Sequence, residues 1–189
     1  MKKVGILGGT FDPPHIGHLI IANEVLHSKN LDEIWFMPNQ EPPHKIKTVS
    51  VTNEQRVEML KLSIESIPQF RITTIELDRK GKSYTFDTIQ ILKETNPDME
   101  FYFIIGADMV EYLPNWYKID ELIGMVQFIS VNRPNYEHQT SYPVQFVEVP
   151  DINISSNLIR NRLRNHKTIS FLVRDEVKHY IEENRLYES

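Results

Sequence analysis

The amino-acid sequence predicts an α/β protein built on a doubly wound, mainly parallel sheet with helices on both faces. Three observations predict it. Short apolar runs alternate with longer stretches of helical periodicity, the order that βαβ units require. Four of these runs end in polar or glycine-rich punctuation, at Gly8-Gly9, Pro38-Asn39, Gly106-Ala107-Asp108 and Asn132-Arg133. The 189 residues are 40% hydrophobic and 25% charged, ordinary values for a globular unit with a proper core. No repeat, low-complexity tract or long linker divides the chain, so residues 1–189 are expected to form a single domain. A helical segment from about residue 155 to 189 would close it.

The elements follow in order. Residues 2–7 read as a buried strand. Residues 15–27 read as a helix with apolar Leu19, Ile20, Val25 and Leu26. Residues 34–37 form a second short strand that contains Trp35, most simply a core residue, and Pro38-Asn39 stops it. Residues 40–51 read as a mobile loop holding Pro42-Pro43-His44-Lys45. Thr52 opens a helix, because Thr52 and Gln55 have capping-box spacing and Val57, Leu60 and Ile64 supply an apolar face. Residues 72–77 alternate as a strand, and residues 85–94 have helical character. Residues 101–105 form the most apolar strand. Residues 128–131 and 144–149 supply two more, and helices over 155–163 and 174–184 end the chain.

Composition narrows the function. A formal net charge of -5 and a pI near 5.8 count against a protein that coats nucleic acid through a basic surface. An anionic substrate would have to be held by local cations and helix termini. The chain has no cysteine, which excludes disulfides and zinc–thiolate sites. No apolar run reaches the roughly 20 residues of a membrane span, and Met1-Lys2-Lys3 leads straight into a strand-like segment too short for a signal sequence. The expectation is a cytoplasmic protein with no membrane or nucleic-acid partner.

The most informative stretch is Gly8-Gly9-Thr10-Phe11-Asp12-Pro13-Pro14-His15-Ile16-Gly17-His18. It reads as strand, tight turn, then helix start. Unpaired N–H groups and the macrodipole make a helix N-terminus a site for phosphate. His15 and His18 are three apart and share a helical face, so both imidazoles could donate N–H to one polyphosphate. Neither a Gly-x-Gly-x-x-Gly fingerprint nor a Walker A loop is present. A structural or metal-binding histidine pair is the alternative, but zinc needs at least a third protein ligand. On parallel sheets ligands bind beyond the carboxyl ends of the strands, at the switch point, where the punctuation lies.

A second phosphate element is readable further on. Ser155 and Ser156 precede Leu158-Ile159, so one serine caps a helix. Arg160, four after Ser156, lies on the same face with a planar fork suited to phosphate oxygens. Alone this would be a plain cap with a surface arginine; on the same rim as the first motif it becomes a second clamp. Lys45 is either a solvated lysine or a loop cation that closes over phosphates. Asp108, the first acid after a strand-end glycine, is placed to accept ribose hydroxyls or to cap the segment that follows. Trp116 sits among polar residues, which suits stacking on a planar heterocycle.

His15-Ile16-Gly17-His18 spells the HIGH motif of class I aminoacyl-tRNA synthetases and the wider nucleotidyltransferase superfamily. Together with Pro42-Pro43-His44-Lys45, Ser83-Tyr84-Thr85-Phe86-Asp87-Thr88, Ile105-Gly106-Ala107-Asp108 and Ile154-Ser155-Ser156-Asn157-Leu158-Ile159-Arg160, the sequence resembles the bacterial nicotinate-mononucleotide adenylyltransferases over essentially its whole length. Asn157 departs from the threonine frequent there and keeps a cap-competent side chain. The resemblance implies a Rossmann-like nucleotidyltransferase fold. It implies that ATP and nicotinate mononucleotide are the substrates, that Mg²⁺ accompanies ATP without an assigned protein ligand, and that a homodimer is possible. His15, His18 and Arg160 would carry catalysis. Gly8, Gly9, Thr10, Phe11, Lys45, Thr85, Gly106, Asp108, Tyr112, Trp116, Arg133, Ile154, Ser155 and Ser156 would bind substrate, with the nicotinate ring at Trp116. Thr85 and backbone N–H groups around residues 112–116 would favour the acid over the amide. A phosphopantetheine adenylyltransferase and a non-catalytic nucleotide sensor are the competing readings. A short synthetase relative fits neither the acidic pI nor the Ser155–Arg160 segment.

Overall fold

The computed structural model describes residues 1–40, 51–79, 83–132 and 140–188. Lys45, Arg133 and residues 41–50 of the expected loop lie outside them. Six strands, all parallel, form one sheet in the order β3-β2-β1-β4-β5-β6. They are β1 (Lys2–Gly9), β2 (Glu33–Pro38), β3 (Phe70–Ile72), β4 (Met99–Gly106), β5 (Gln127–Asn132) and β6 (Val144–Glu148). The order reverses between β1 and β4, so the crevice beyond their carboxyl ends is the switch point where such sheets hold ligands.

Strand periodicity supplies both faces with core. Val4 and Ile6 of β1 point to one side and Leu7 to the other. On Leu7's side pack α1 (Ile16–Ser28), through Ala22, Val25 and Leu26, and α2 (Asn53–Ile64), through Leu60 and Ile64. On the opposite side α3 (Thr85–Thr95) covers the sheet with Phe86, Ile89 and Leu92. Two short helices, α4 (Ala107–Val110) and α5 (Ile119–Leu122), lie between β4 and β5 with a 3₁₀ turn at Leu113–Asn115. The last two helices, α6 (Ser156–Arg164) and α7 (Asp175–Glu183), build a third core with Met59 of α2 through Ile159, Val177 and Ile181. The doubly wound α/β architecture is the one the sequence predicts.

Local expectations mostly hold, with instructive exceptions. The capping box at α2 is present: Gln55 N donates to Thr52 Oγ1 at 3.2 Å and Thr52 N donates to Gln55 Oε1 at 2.9 Å. The strand expected over 72–77 is instead the three-residue β3, ending at Ile72. Thr73 N still reaches Phe36 O, but the Thr74 carbonyl then collects the N–H groups of Leu77 and Asp78 and closes a turn. Local hydrogen bonding thus overrides the alternating pattern. Trp35 is half-buried rather than wholly core: its ring meets Phe101 edge-on and its Nε1 donates to Glu33 Oε2 at 2.9 Å. No helix among the described residues is long and apolar enough to cross a membrane.

Candidate active site

β1 delivers Gly9, Thr10 and Phe11 to the rim of the sheet. Phe11 adopts φ 50°, a left-handed conformation uncommon for a bulky residue, and its ring is buried in the core. A Cβ on residue 9 would lie 2.9 Å from that ring, so only glycine lets the turn close over Phe11. Phe11 can therefore offer a ligand its backbone, not its side chain. The chain then enters α1 with His15 as N-cap. His15 N donates to His18 Nδ1 at 3.1 Å, and the two rings stack at 3.7 Å between centroids. An Nδ1 that accepts leaves the proton of neutral His18 on Nε2, which is then a donor. The Phe11 ring braces His18 edge-on at 4.9 Å. Burial pushes the His15 pKa down to about 4, and burial together with His15 holds His18 well below the ordinary value. Both imidazoles are neutral near pH 7. His15 Nδ1 is buried without a hydrogen-bond partner. A Cβ at residue 17 would come within 3.0 Å of it, which gives Gly17 of the HIGH tetrapeptide its physical reason.

The second element is fastened to the first. Ser155 is the N-cap of α6 and accepts from Leu158 N at 3.1 Å. Ser156 Oγ donates to Pro13 O at 2.8 Å, and Arg160 Nη1 donates to Asp12 O at 2.6 Å. Arg160 also pairs with the buried Asp12 carboxylate, Nη1 to Oδ2 at 3.8 Å. Arg160, expected to offer its fork to phosphate oxygens, thus also holds the glycine turn through Nη1. The two motifs form one body.

A cleft of about 510 Å³ opens at the switch point, lined among others by His15, Gly17, Gly106, Asp108 and Ile154. It brings together the start of α1, the ends of β4 and β5 and the segment that follows β6, whereas Gly8, Gly9 and Thr10 at the end of β1 do not line it. Asp108 does not cap a helix; Gly106 is the N-cap of α4, and Asp108 sits in its first turn. Thr85, Tyr112 and Trp116 lie outside this cleft. Trp116 is half-buried, edge-on to Phe103 at 5.9 Å and Phe128 at 5.8 Å, so it belongs to α3's side of the sheet rather than to a purely polar surface. The backbone donors expected around 112–116 are largely spent, since the N–H groups of Tyr112, Asn115 and Trp116 bond to Met109, Tyr112 and Leu113 carbonyls. The N-terminus of α3 is better suited: its N-cap Tyr84 makes no side-chain cap bond, and Thr85 is its first residue. Among the described residues no group of three or more His, Cys, Asp or Glu could hold a metal.

Three residues escaped the sequence reading. Arg56 is fully buried on α2 and donates to Thr10 O, Asn39 O and Asn53 Oδ1. Tyr187, near the C-terminus, donates its hydroxyl to buried Asp12, and burial with the adjacent carboxylate pushes the phenol pKa up. Glu76 is buried beside Thr88 Oγ1, 3.3 Å away, and Arg79 reaches the same hydroxyl at 3.1 Å, bracing the first turns of α3. Burial raises the Glu76 pKa. Pairs this far apart in sequence leave no local signal; a lone arginine inside an apolar helical stripe was the one available hint.

A glycine turn that runs into paired neutral histidines on a parallel nucleotide-fold sheet is the arrangement of a nucleotidyltransferase, and a cytidylyltransferase-like family model matches residues 6–162. Two relatives are similar over the full length of both chains: a nicotinate-nucleotide adenylyltransferase of Bacillus subtilis, 56% identical over 189 residues, and a probable one of Bacillus licheniformis, 59% identical. The chain belongs to the nicotinate-nucleotide adenylyltransferase family. Its fold matches that of Plasmodium falciparum nicotinic acid mononucleotide adenylyltransferase complexed with NaAD, at a TM-score of 0.81 and 22% identity, covering 100% of this chain and 98% of that one.

Proposed function

We propose that this protein transfers the adenylyl group of ATP to nicotinate mononucleotide, releasing pyrophosphate and forming deamido-NAD for NAD biosynthesis. The observation that carries the reading is the fastening of α6 to the histidine turn, through Ser156 to Pro13 O and Arg160 to Asp12 O, at the sheet's switch point. Relatives at 56–59% identity bearing that enzyme's name support it.

The attacking group is a phosphate monoester whose second pKa is about 6, so it is largely a dianion at neutral pH and needs no general base. The protein must hold two anions in line and stabilise charge that moves onto pyrophosphate. His18, neutral with its proton on Nε2, would donate to the reacting phosphate. His15 would donate beside it, and the Gly9-Thr10-Phe11 backbone would receive the bridging oxygens. Arg160, already beside the turn, would reach the leaving phosphates. Mg²⁺ would neutralise phosphate charge; Asp108 is the acid lining the cleft, and an ion that keeps water and phosphate ligands asks for one or two carboxylates at most. Asp108 also suits ribose hydroxyls. Across the sheet, Trp116 would stack on the pyridine ring and the N–H groups at the start of α3, with Thr85, would receive its carboxylate. Lys45 and Arg133 complete the binding set we assign. A cytoplasmic homodimer is part of this reading, and sedimentation decides the dimer.

The test is pyrophosphate release with ATP, Mg²⁺ and a panel of acceptors. Turnover with nicotinate mononucleotide far above that with phosphopantetheine supports the reading. Preference for phosphopantetheine, or ATP binding without turnover, overturns it.

A further inference from the structure

Arg56 is among the largest fully buried side chains, and it is a cation. Burying a guanidinium is costly unless its donors are met. Here they are met in a particular way. Nη1 donates to the Thr10 carbonyl at 2.6 Å, while Nη2 donates to the Asn39 carbonyl at 2.9 Å and to Asn53 Oδ1 at 2.7 Å. One planar fork thus joins the glycine turn after β1, the residue following β2 and the first residue of α2. Asn39 N in turn donates to Gly9 O at 2.8 Å, which closes the connection from the other side.

The Thr10 contact sets a direction. In a planar trans peptide the carbonyl and the next N–H point opposite ways. A Thr10 oxygen drawn inward to Arg56 therefore turns the Phe11 N–H outward, on the side where Thr10 is exposed. Arg160 and Ser156 draw the Asp12 and Pro13 carbonyls towards α6 in the same manner. Pro13 and Pro14 have no N–H, and those of His15 and Ile16 are bonded to His18 Nδ1 and Leu172 O. The Phe11 amide, which follows the Thr10 carbonyl, is thus the donor whose direction the Arg56 fork controls.

We propose that Arg56 is a positioning residue for adenylyl transfer: it holds the Thr10 carbonyl so that the Phe11 N–H is aimed at the ATP phosphates. The proposal rests on the phosphate reading of this turn, and ATP binding tests it even apart from the acceptor. Arg56→Lys keeps the charge and loses the fork. Asn53→Ala removes one acceptor from Nη2 and leaves the guanidinium in place. For Arg56→Lys, kcat/KM for ATP should fall on the order of 10²-fold with KM for nicotinate mononucleotide unchanged. For Asn53→Ala the fall should be roughly 3- to 10-fold with the same split. Calorimetric ATP affinity of each variant, measured without acceptor, should weaken in the same order.

If Arg56→Lys does not fold, Asn53→Ala decides. Wild-type ATP parameters in a folded variant, or an equal rise in KM for both substrates, overturn the positioning role. A wild-type protein that binds ATP but does not turn over nicotinate mononucleotide would overturn the functional reading instead, and the ATP affinities would still decide the role of Arg56.

Discussion

His18 accepts the His15 amide at Nδ1, and this one bond fixes which ring nitrogen carries the proton. The pair's burial keeps both rings neutral, so in the proposed role they would donate without adding charge beside an N-terminal helix dipole. Histidine ¹⁵N resonances should show His15 neutral down to about pH 4; a midpoint at 6.5 would contradict the buried pair. The folded protein binds this proton less readily than the unfolded chain. Its contribution to stability is therefore complete above pH 6.5 and is lost as the pH falls towards 4. His18→Ala should lower kcat by about 10²–10³ with little change in KM for ATP, because the donor is worth more in the transition state than in the ground state. Steady-state kinetics decide it, and near-normal turnover would remove His18 from catalysis. Both histidines were legible in the sequence from their spacing and position at a helix start. Their mutual hydrogen bond and the reason for Gly17 were not, since both depend on ring orientation.

At the scale of elements, α6 is bolted to the glycine turn, and the C-terminus is bolted to it as well. Tyr187 donates to the buried Asp12 carboxylate across 175 residues of sequence. Tyr187→Phe removes that donor and leaves the cost of an under-satisfied buried acid, about 1–3 kcal/mol. Thermal unfolding should show the loss, and an unchanged transition would mean that Asp12 does not depend on Tyr187. The long helices and the Thr52–Gln55 cap could be read locally, because periodicity and capping are properties of adjacent residues. Arg56, 46 residues from Thr10, and Tyr187 could not, because their partners are chosen by the tertiary fold. The alternation over residues 72–77 misled for a related reason. It matched a strand's period, but the Thr74 carbonyl found partners in its own turn.

For the whole molecule, the sheet divides the work. The cleft with His15 and Asp108 opens beside α1, whereas Trp116 and the start of α3 pack on the opposite face of the sheet. In the proposed function the acceptor would bring its phosphate to the histidine turn and its ring to Trp116. The ring's substituent would then meet the N–H groups that begin α3, where Tyr84 supplies no side-chain cap. A carboxylate accepts from such donors and gains from the helix dipole; an amide NH₂ set against them finds no acceptor. Sites of this kind reject the mismatched group strongly. The specificity constants for nicotinate mononucleotide and nicotinamide mononucleotide, measured with saturating ATP and Mg²⁺, test this directly. The acid should be preferred by about 10²-fold or more. Comparable constants would contradict both the assigned pocket and the division of labour across the sheet.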